Sequence, residues 1–221
     1  MKKKKKGKRG RFLRTLFLIV ILSLLAGIAY YSFYPDVSKL KRENPRKTAF
    51  MDYRQKERQA QGKKFFIQQK WVPLSKVSPY LVKAVLIAED DKFWKHEGFD
   101  FDAIQKAIER DLKEGKFKFG GSTISQQLVK NLYLSPSKNP VRKLRELLIT
   151  RRLEASLTKT RILEIYLNVI EWGDRVYGAE AAARTYFKKP ASALDAEEGA
   201  LLASSIMNPR IWNPARESPA A

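Results

Sequence analysis

Residues 120–131 read GGSTISQQLVKN, a glycine turn followed at once by a helix start. The two glycines let the backbone approach a neighbour or a ligand closely. Thr123 and Gln126 have the spacing of a capping box, and the free N–H groups of a helix N-terminus attract anions. Gln127 and Lys130 then share a polar helix face with Thr123. The stretch suits a ligand with phosphate and sugar hydroxyls, although an ordinary glycine turn with a good N-cap would look the same.

A second helix is predicted upstream, with Ser78 as N-cap and Pro79 at its first position. Helical spacing places Glu89 on an otherwise apolar face. A carboxyl on a core-facing stripe is desolvated and holds a proton more readily, as a general base or acid requires. Alternatively, Glu89 lies at the solvated end of the helix. The apolar residues on the same face are Val82, Val85, Leu86 and Phe93.

A third helix, opened by Asn139 and Pro140, carries an acid among cations. Glu146 lies four residues after Arg142, and Lys143 and Arg145 flank it. Such a pair is often only a weak surface ion pair. A carboxylate held among three cations should nevertheless stay ionised, while Glu89 favours the neutral form. Two acids in such different surroundings can divide acid and base roles between them.

The rest of the sequence also has residues that mark helix starts and ends. Thr158 caps one run, an alanine-rich helix is predicted over 179–186, and a last helix over 194–207. Alternating strand patterns are scarce, so the fold class is predicted to be mainly α. The chain has no cysteine and one histidine, which excludes disulfides, a cysteine nucleophile and a histidine-built metal site.

The N-terminus has the features of a membrane anchor. Residues 1–14 carry nine Lys and Arg side chains and no acid, and residues 15–34 (TLFLIVILSLLAGIAYYSFY) carry no charge. A twenty-residue apolar helix spans roughly 30 Å, the thickness of a bilayer core. The positive-inside rule predicts a cytoplasmic tail and an exported remainder. A cleaved signal peptide is the alternative, and the long apolar run favours the uncleaved anchor.

These boundaries give four predicted regions. They are a basic tail (1–14), a transmembrane helix (15–34), a polar stalk (35–70) and a globular domain (71–221). The 221-residue chain has 44 Lys and Arg against 23 Asp and Glu, a net charge of +21. So large an excess predicts an anionic partner, which could be nucleic acid, anionic lipid or a phosphorylated substrate. For an exported domain, membrane lipid or a phosphorylated substrate is the better expectation, and no nucleic-acid partner is predicted.

Taken together, four motifs resemble those of the peptidoglycan glycosyltransferases (glycosyltransferase family 51). Residues 89–100 (EDDKFWKHEGFD), 120–131, 142–146 (RKLRE) and 162–168 (ILEIYLN) occur in that family's order and spacing. The similarity extends from about residue 48 to 214. The stretch NVIEWG that begins at Asn168 resembles the monofunctional biosynthetic transglycosylases.

The resemblance implies a lysozyme-like fold with a large lobe and a small, membrane-dipping jaw. The jaw would include residues 100–119, with Phe117 and Phe119 touching lipid. The implied reaction is polymerisation of lipid II into β-1,4-linked glycan strands, with inversion and release of undecaprenyl diphosphate. The implied location is the outer face of the bacterial cytoplasmic membrane, where membrane lipids and cell-wall synthesis or division proteins are the expected neighbours.

The resemblance also implies residue roles. Glu89 matches the base that deprotonates the acceptor's 4-hydroxyl, and Glu146 matches a second essential acid at the leaving group, acting directly or through Mg²⁺ or Mn²⁺. Lys130 matches a pyrophosphate-binding lysine, and Lys138 stands where some members have arginine. The full set of expected substrate-binding residues is Asp90, Phe93, His96, Gly121, Ser122, Thr123, Gln126, Gln127, Lys130, Asn131, Lys138, Arg142 and Arg145.

Two rival functions remain open at this stage. A membrane-anchored lytic transglycosylase or lysozyme-like hydrolase shares the fold and a helix-borne glutamate, but it cleaves glycan. A neutral polysaccharide would not require the cations around Glu146 and Lys130. The other rival is an anchored scaffold for division or elongation proteins, which would not depend on Glu89.

Overall fold

The computed structural model describes residues 3–115, 121–137, 139–212 and 214. Within these ranges the fold is mainly α, which confirms the predicted fold class. The helices are α1 (Lys3–Phe33), α2 (Ala49–Ala60), α3 (Pro79–Glu89), α4 (Phe101–Glu114), α5 (Ile124–Tyr133), α6 (Pro140–Ser156), α7 (Lys159–Val169), α8 (Ala179–Phe187) and α9 (Ala196–Ser205). The strands are β1 (Gln68–Gln69), β2 (Glu171–Gly173) and β3 (Val176–Tyr177).

Helix α1 contains the apolar segment Gly10–Tyr30, which has 21 residues and a mean hydropathy of 2.4. None of this segment is buried against the rest of the chain. In length and composition it is suited to cross a membrane. The end of α1 meets α6, where Arg152 donates a hydrogen bond of 2.7 Å to the carbonyl oxygen of Phe33.

Helices α5, α6 and α7 form the centre of the domain, and α3 packs along α9. The core is built from the apolar faces of these helices and includes the fully buried Leu128, Ile149, Leu153 and Ile162. Burial of such side chains is worth roughly 1.5–3 kcal/mol each. Because α5 is enclosed by its neighbours, its first turn and its polar face are held at fixed positions.

A small sheet, which the sequence pattern does not predict, closes one side of the domain. Its strand order is β1-β3-β2, with β1 parallel and β2 antiparallel to β3. Two- and three-residue strands are too short to produce a recognisable alternation of polar and apolar residues. Because β2 directly follows α7, the sheet fixes the C-terminal end of that helix against the domain.

The segment 35–70 packs on the domain over part of its length. Val37, Leu40 and Met51 are buried in the structure, and β1 joins the sheet. Thr48 caps α2 by accepting a hydrogen bond from the backbone N–H of Met51. The sequence reads as a polar stalk because these apolar residues are isolated among charged ones. The predicted domain boundary at residue 71 stays a prediction.

Candidate active site

Helix α3 ends at Glu89, earlier than the predicted apolar stripe implied. Asp90 leaves the helical conformation (φ −169°) and its carboxylate turns towards α5. There Asp90 Oδ2 accepts a 2.9 Å hydrogen bond from the N–H of Ile124. Phe93 therefore lies in the following turn, fully buried, and not on α3. The prediction that Phe93 shares a helix face with Glu89 was wrong, because α3 ends where Asp90 turns to accept the hydrogen bond from Ile124.

His96 holds this turn in place with both of its ring nitrogens. The N–H of Gly98 donates to Nδ1 at 3.0 Å, so Nδ1 is the acceptor and Nε2 carries the proton. Nε2 then donates to Oδ1 of Asp90 at 2.9 Å. In this conformation, His96 and Asp90 are engaged with the protein. Their expected contact with substrate stays a prediction.

The predicted capping box at the start of α5 is present. Thr123 Oγ1 accepts from the N–H of Gln126 at 3.2 Å, and Gln126 Oε1 accepts from the N–H of Thr123 at 3.0 Å. The Thr123 hydroxyl also donates to the carbonyl oxygen of Gly98 at 2.7 Å. Asn131 similarly donates from its side chain to the carbonyl oxygen of Gln127 at 2.8 Å. These side chains therefore bind backbone groups of the protein and stabilise the start of α5 and the turn at Gly98.

Gly121 explains why this motif needs glycine. Its φ is +90°, and a Cβ there would lie 3.1 Å from the carbonyl oxygen of Ala103 in α4. Both the backbone conformation and the close approach to α4 therefore exclude a side chain. Gly121 and Ser122 line a cavity of about 150 Å³, which Glu89 also lines.

Glu89 is partly buried at this cavity and is held by Gln127. Nε2 of Gln127 donates to Oε2 of Glu89 at 2.7 Å. Within the described ranges, no protein donor lies within hydrogen-bond distance of the other carboxylate oxygen. That oxygen can accept a proton from a ligand hydroxyl, as a general base must.

Glu146 is almost completely buried, with 2% of its surface exposed. Arg142 donates to Oε2 at 2.5 Å, and Lys143 forms an ion pair with Oε1. The Lys143 ammonium also lies 3.4 Å from the hydroxyl of Ser122, on the wall of the Glu89 cavity. The cationic cluster around Glu146 is therefore joined to the glycine turn.

Lys130 connects the two acids. Burial lowers the pKa of its ammonium, Glu146 and Glu89 oppose that shift, and Arg142 and Lys143 reinforce it. Both carboxylates therefore lie within electrostatic reach of the same charge. In the described part of the chain, the Lys130 ammonium has no acceptor at hydrogen-bond distance. It is available to an anionic ligand.

Arg145 is exposed and lines a larger cavity of about 600 Å³ beside the end of α1. Tyr34 and Pro35 border this cavity on the side of α1, and Tyr133 and Arg142 on the side of α5 and α6. Burial raises the pKa of Tyr133 to about 12, so its phenol remains protonated. Lys138, Phe117 and Phe119, which the sequence singled out, lie outside the described residues.

Tyr166 is a site residue that sequence reasoning did not identify. It is completely buried on α7, and its hydroxyl donates to Oε1 of Gln127 at 2.9 Å. The only sequence signal is a tyrosine on the apolar face of a helix, where a buried hydroxyl requires a partner.

The donor set does not fit a dedicated Mg²⁺ or Mn²⁺ site. Such ions take several carboxylate or carbonyl oxygens, whereas both carboxylate oxygens of Glu146 already face cations. No group of three or more acidic or histidine ligands occurs among the described residues.

Within the described residues, a mainly helical fold holds two acids near an ammonium that has no protein acceptor, an arrangement suited to an enzyme with an anionic substrate. The chain matches the family model described as "Transglycosylase" over residues 57–221. It is 47% identical to a "Biosynthetic peptidoglycan transglycosylase" of Nitrosospira multiformis, over 94% of this chain and 91% of that protein. A protein of the same description from Nitrosomonas eutropha is 48% identical, over 94% of this chain and 84% of that protein. Another from Chromobacterium violaceum is 47% identical, over 92% of this chain and 85% of that protein. The chain belongs to the transglycosylase family.

Proposed function

We propose that this enzyme polymerises the glycan strands of peptidoglycan, with lipid II as its substrate. The observation that carries the proposal is the position of the Lys130 ammonium. It is partly buried, has no protein acceptor in the described ranges, and lies within electrostatic reach of both Glu89 and Glu146. A sugar diphosphate donor supplies the anion that such a cation requires, whereas a neutral glycan does not.

In the proposed reaction, Glu89 is the general base. Its free carboxylate oxygen takes the proton of the acceptor's 4-hydroxyl. The hydroxyl oxygen of the acceptor then attacks the anomeric carbon of the donor sugar. The new glycosidic bond forms as the bond from the anomeric carbon to the diphosphate breaks, with inversion. The hydrogen bond from Gln127 supports this role because it fixes one carboxylate oxygen and leaves the other open.

The leaving diphosphate takes up the electron pair of the broken bond. We assign the stabilisation of this charge to Lys130, Arg142 and Lys143, with Arg145 and Lys138 as further contacts for the diphosphate. Fixed cations in a partly desolvated site stabilise developing charge without reorganisation. Glu146 keeps this group of cations in position, since it pairs with two of them. Ser122 and Gln127 are the proposed contacts for sugar hydroxyls.

The enzyme would work on the outer face of the cytoplasmic membrane, with its basic N-terminal tail in the cytoplasm. Helix α1 provides a segment of suitable length, and the charge before it favours this orientation. Helix α4 carries three apolar side chains that are more than half exposed: Phe101, Ile108 and Leu112. They suit contact with the bilayer, where a lipid-linked substrate is found.

The decisive assay offers purified enzyme lipid II and, separately, finished peptidoglycan. Polymer from lipid II, with no soluble fragments from peptidoglycan, supports the proposal. Fragments without polymer would establish a lytic enzyme. If neither product forms and Glu89→Gln still supports growth in a strain that requires the chain, a scaffolding role would replace the proposal.

A further inference from the structure

The hydroxyl of Tyr166 is buried beneath the active site and does not reach the cavity. Its exposed fraction is 0%, and its one hydrogen bond in the described chain goes to Oε1 of Gln127 at 2.9 Å. The same Gln127 side chain donates from Nε2 to Glu89 at 2.7 Å. Three side chains from α7, α5 and α3 thus form a continuous chain of hydrogen bonds.

Chemistry fixes the direction of this chain. An ionised carboxylate only accepts hydrogen bonds, so Gln127 must present its NH₂ group to Glu89. Its carbonyl oxygen must then point to Tyr166, and that oxygen can only accept. The Tyr166 hydroxyl is suited to donate because burial, with the nearby Glu89 and Asp90, raises the pKa of the phenol well above its usual value.

Without the Tyr166 hydroxyl, the Gln127 amide loses the donor that fixes which way its oxygen and nitrogen point. The carbonyl oxygen would lack a donor in a buried setting, which is costly. The amide could then rotate and present its oxygen to Glu89, where two acceptors repel each other. Glu89 would then lose the hydrogen bond that fixes its rotamer.

We propose that Tyr166 is a positioning residue for catalysis, which orients the Gln127 amide so that the Glu89 carboxylate is aimed at the acceptor hydroxyl. The inference rests on the proposed role of Glu89 as base. It extends that role to a side chain that touches neither substrate nor reacting atoms.

The test is a double-mutant cycle in the full-length enzyme, with Tyr166→Phe and Gln127→Met measured alone and together. Tyr166→Phe is expected to lower kcat by roughly 5- to 20-fold, the effect of one lost hydrogen bond, with KM nearly unchanged. In the Gln127→Met background the same substitution should change kcat less than twofold.

The matched control is Tyr186→Phe, which removes a hydroxyl that donates to the carbonyl oxygen of Trp172 at 3.1 Å, outside the site. It should lower Tm without changing kcat. Equal effects of Tyr166→Phe in both backgrounds, or a raised KM with an unchanged kcat, would overturn the proposal. Glu89→Gln is measured alongside. If it keeps wild-type kcat, the base assignment fails; if it is inactive while Tyr166→Phe behaves as wild type, only the role of Tyr166 fails.

Discussion

Nη1 of Arg142 lies 2.5 Å from Oε2 of Glu146, one turn further along α6. Only 16% of the arginine side chain and 3% of the glutamate side chain are exposed. This buried pair gives the cations of the proposed diphosphate site a fixed geometry before substrate arrives. In such a pair, removal of one partner costs far more than a surface ion pair contributes.

Glu146→Gln therefore should reduce both stability and activity. The neutral amide leaves Arg142 and Lys143 without their counter-charge, a loss of roughly 3–5 kcal/mol when a buried pair is broken. Polymerisation should fall at least roughly 100-fold, in line with the loss of electrostatic stabilisation in other active sites. Thermal unfolding and a lipid II assay measure the two effects. Glu197→Gln, on the exposed side of α9, is the control and should change neither.

Lys130→Met should make the protein more stable and less active. Burial lowers the pKa of Lys130, so the folded state disfavours its ammonium form relative to the unfolded state. The methionine removes this penalty, and Tm should rise by roughly 2–4 °C if about 1 kcal/mol is recovered. Polymerisation should drop sharply because the diphosphate loses its cation. A fall in Tm like that of a core substitution would contradict this account; Lys76→Met, at an exposed position, is the control.

The lowered pKa of Lys130 also predicts the pH dependence of activity. An exposed lysine keeps its charge to higher pH, whereas Lys130 loses its proton earlier as pH rises. The alkaline limb of the pH–rate profile should therefore begin at lower pH than an ordinary lysine would give. Stability should change in the opposite direction, rising through the same interval because the unfolded chain binds the extra proton. Lys130→Arg should move the alkaline limb upward; an unchanged limb would assign it to another group.

Gly121→Ala should disrupt the turn that opens the proposed substrate-binding motif. Alanine at this position would have to adopt a φ of +90°. Its methyl group would lie 3.1 Å from the carbonyl oxygen of Ala103. Strain of this kind costs of order 1–3 kcal/mol. Gly62→Ala is a matched control, since Gly62 also has a positive φ (+68°) but no atom within 4 Å of the added methyl. Circular dichroism melts should show a clearly larger loss of Tm for Gly121→Ala, together with reduced polymerisation.

Replacement of Ile108 and Leu112 by asparagine should weaken action on membrane-embedded substrate. Both side chains are more than half exposed, so Tm should hardly change. The rate on lipid II in vesicles should fall, while the rate on a short-chain, water-soluble analogue should not. Leu201→Asn removes a similarly exposed leucine from α9 and should affect neither rate. Equal losses on both substrates would argue against a membrane contact through α4.

The sequence predicted those parts of the site that depend on local rules. The capping box of Thr123 and Gln126, the N-caps Ser78 and Asn139, and the pair of Arg142 with Glu146 all appear in the structure. Each requires only residues within a few positions of one another. The mainly α fold followed from such patterns, whereas the family followed from the resemblance of four motifs.

Contacts between distant segments were beyond the reach of the sequence. Helical spacing could not show that Asp90 would leave α3 to cap α5, because its partner Ile124 is 34 positions away. Nor could it distinguish Tyr166 from an ordinary apolar-face residue, since its hydroxyl meets Gln127 across 39 positions. The isolated apolar residues of segment 35–70 are buried only because the domain supplies the opposite surface.

The most direct test of the central claim compares wild type and Glu89→Gln on lipid II, with Tm measured for both. The glutamine keeps the size of the side chain but cannot accept the acceptor's proton. We predict glycan polymer from the wild type and none above background from the variant, with Tm values within a few degrees. Equal polymer from both would show that Glu89 is not the base and would contradict the account.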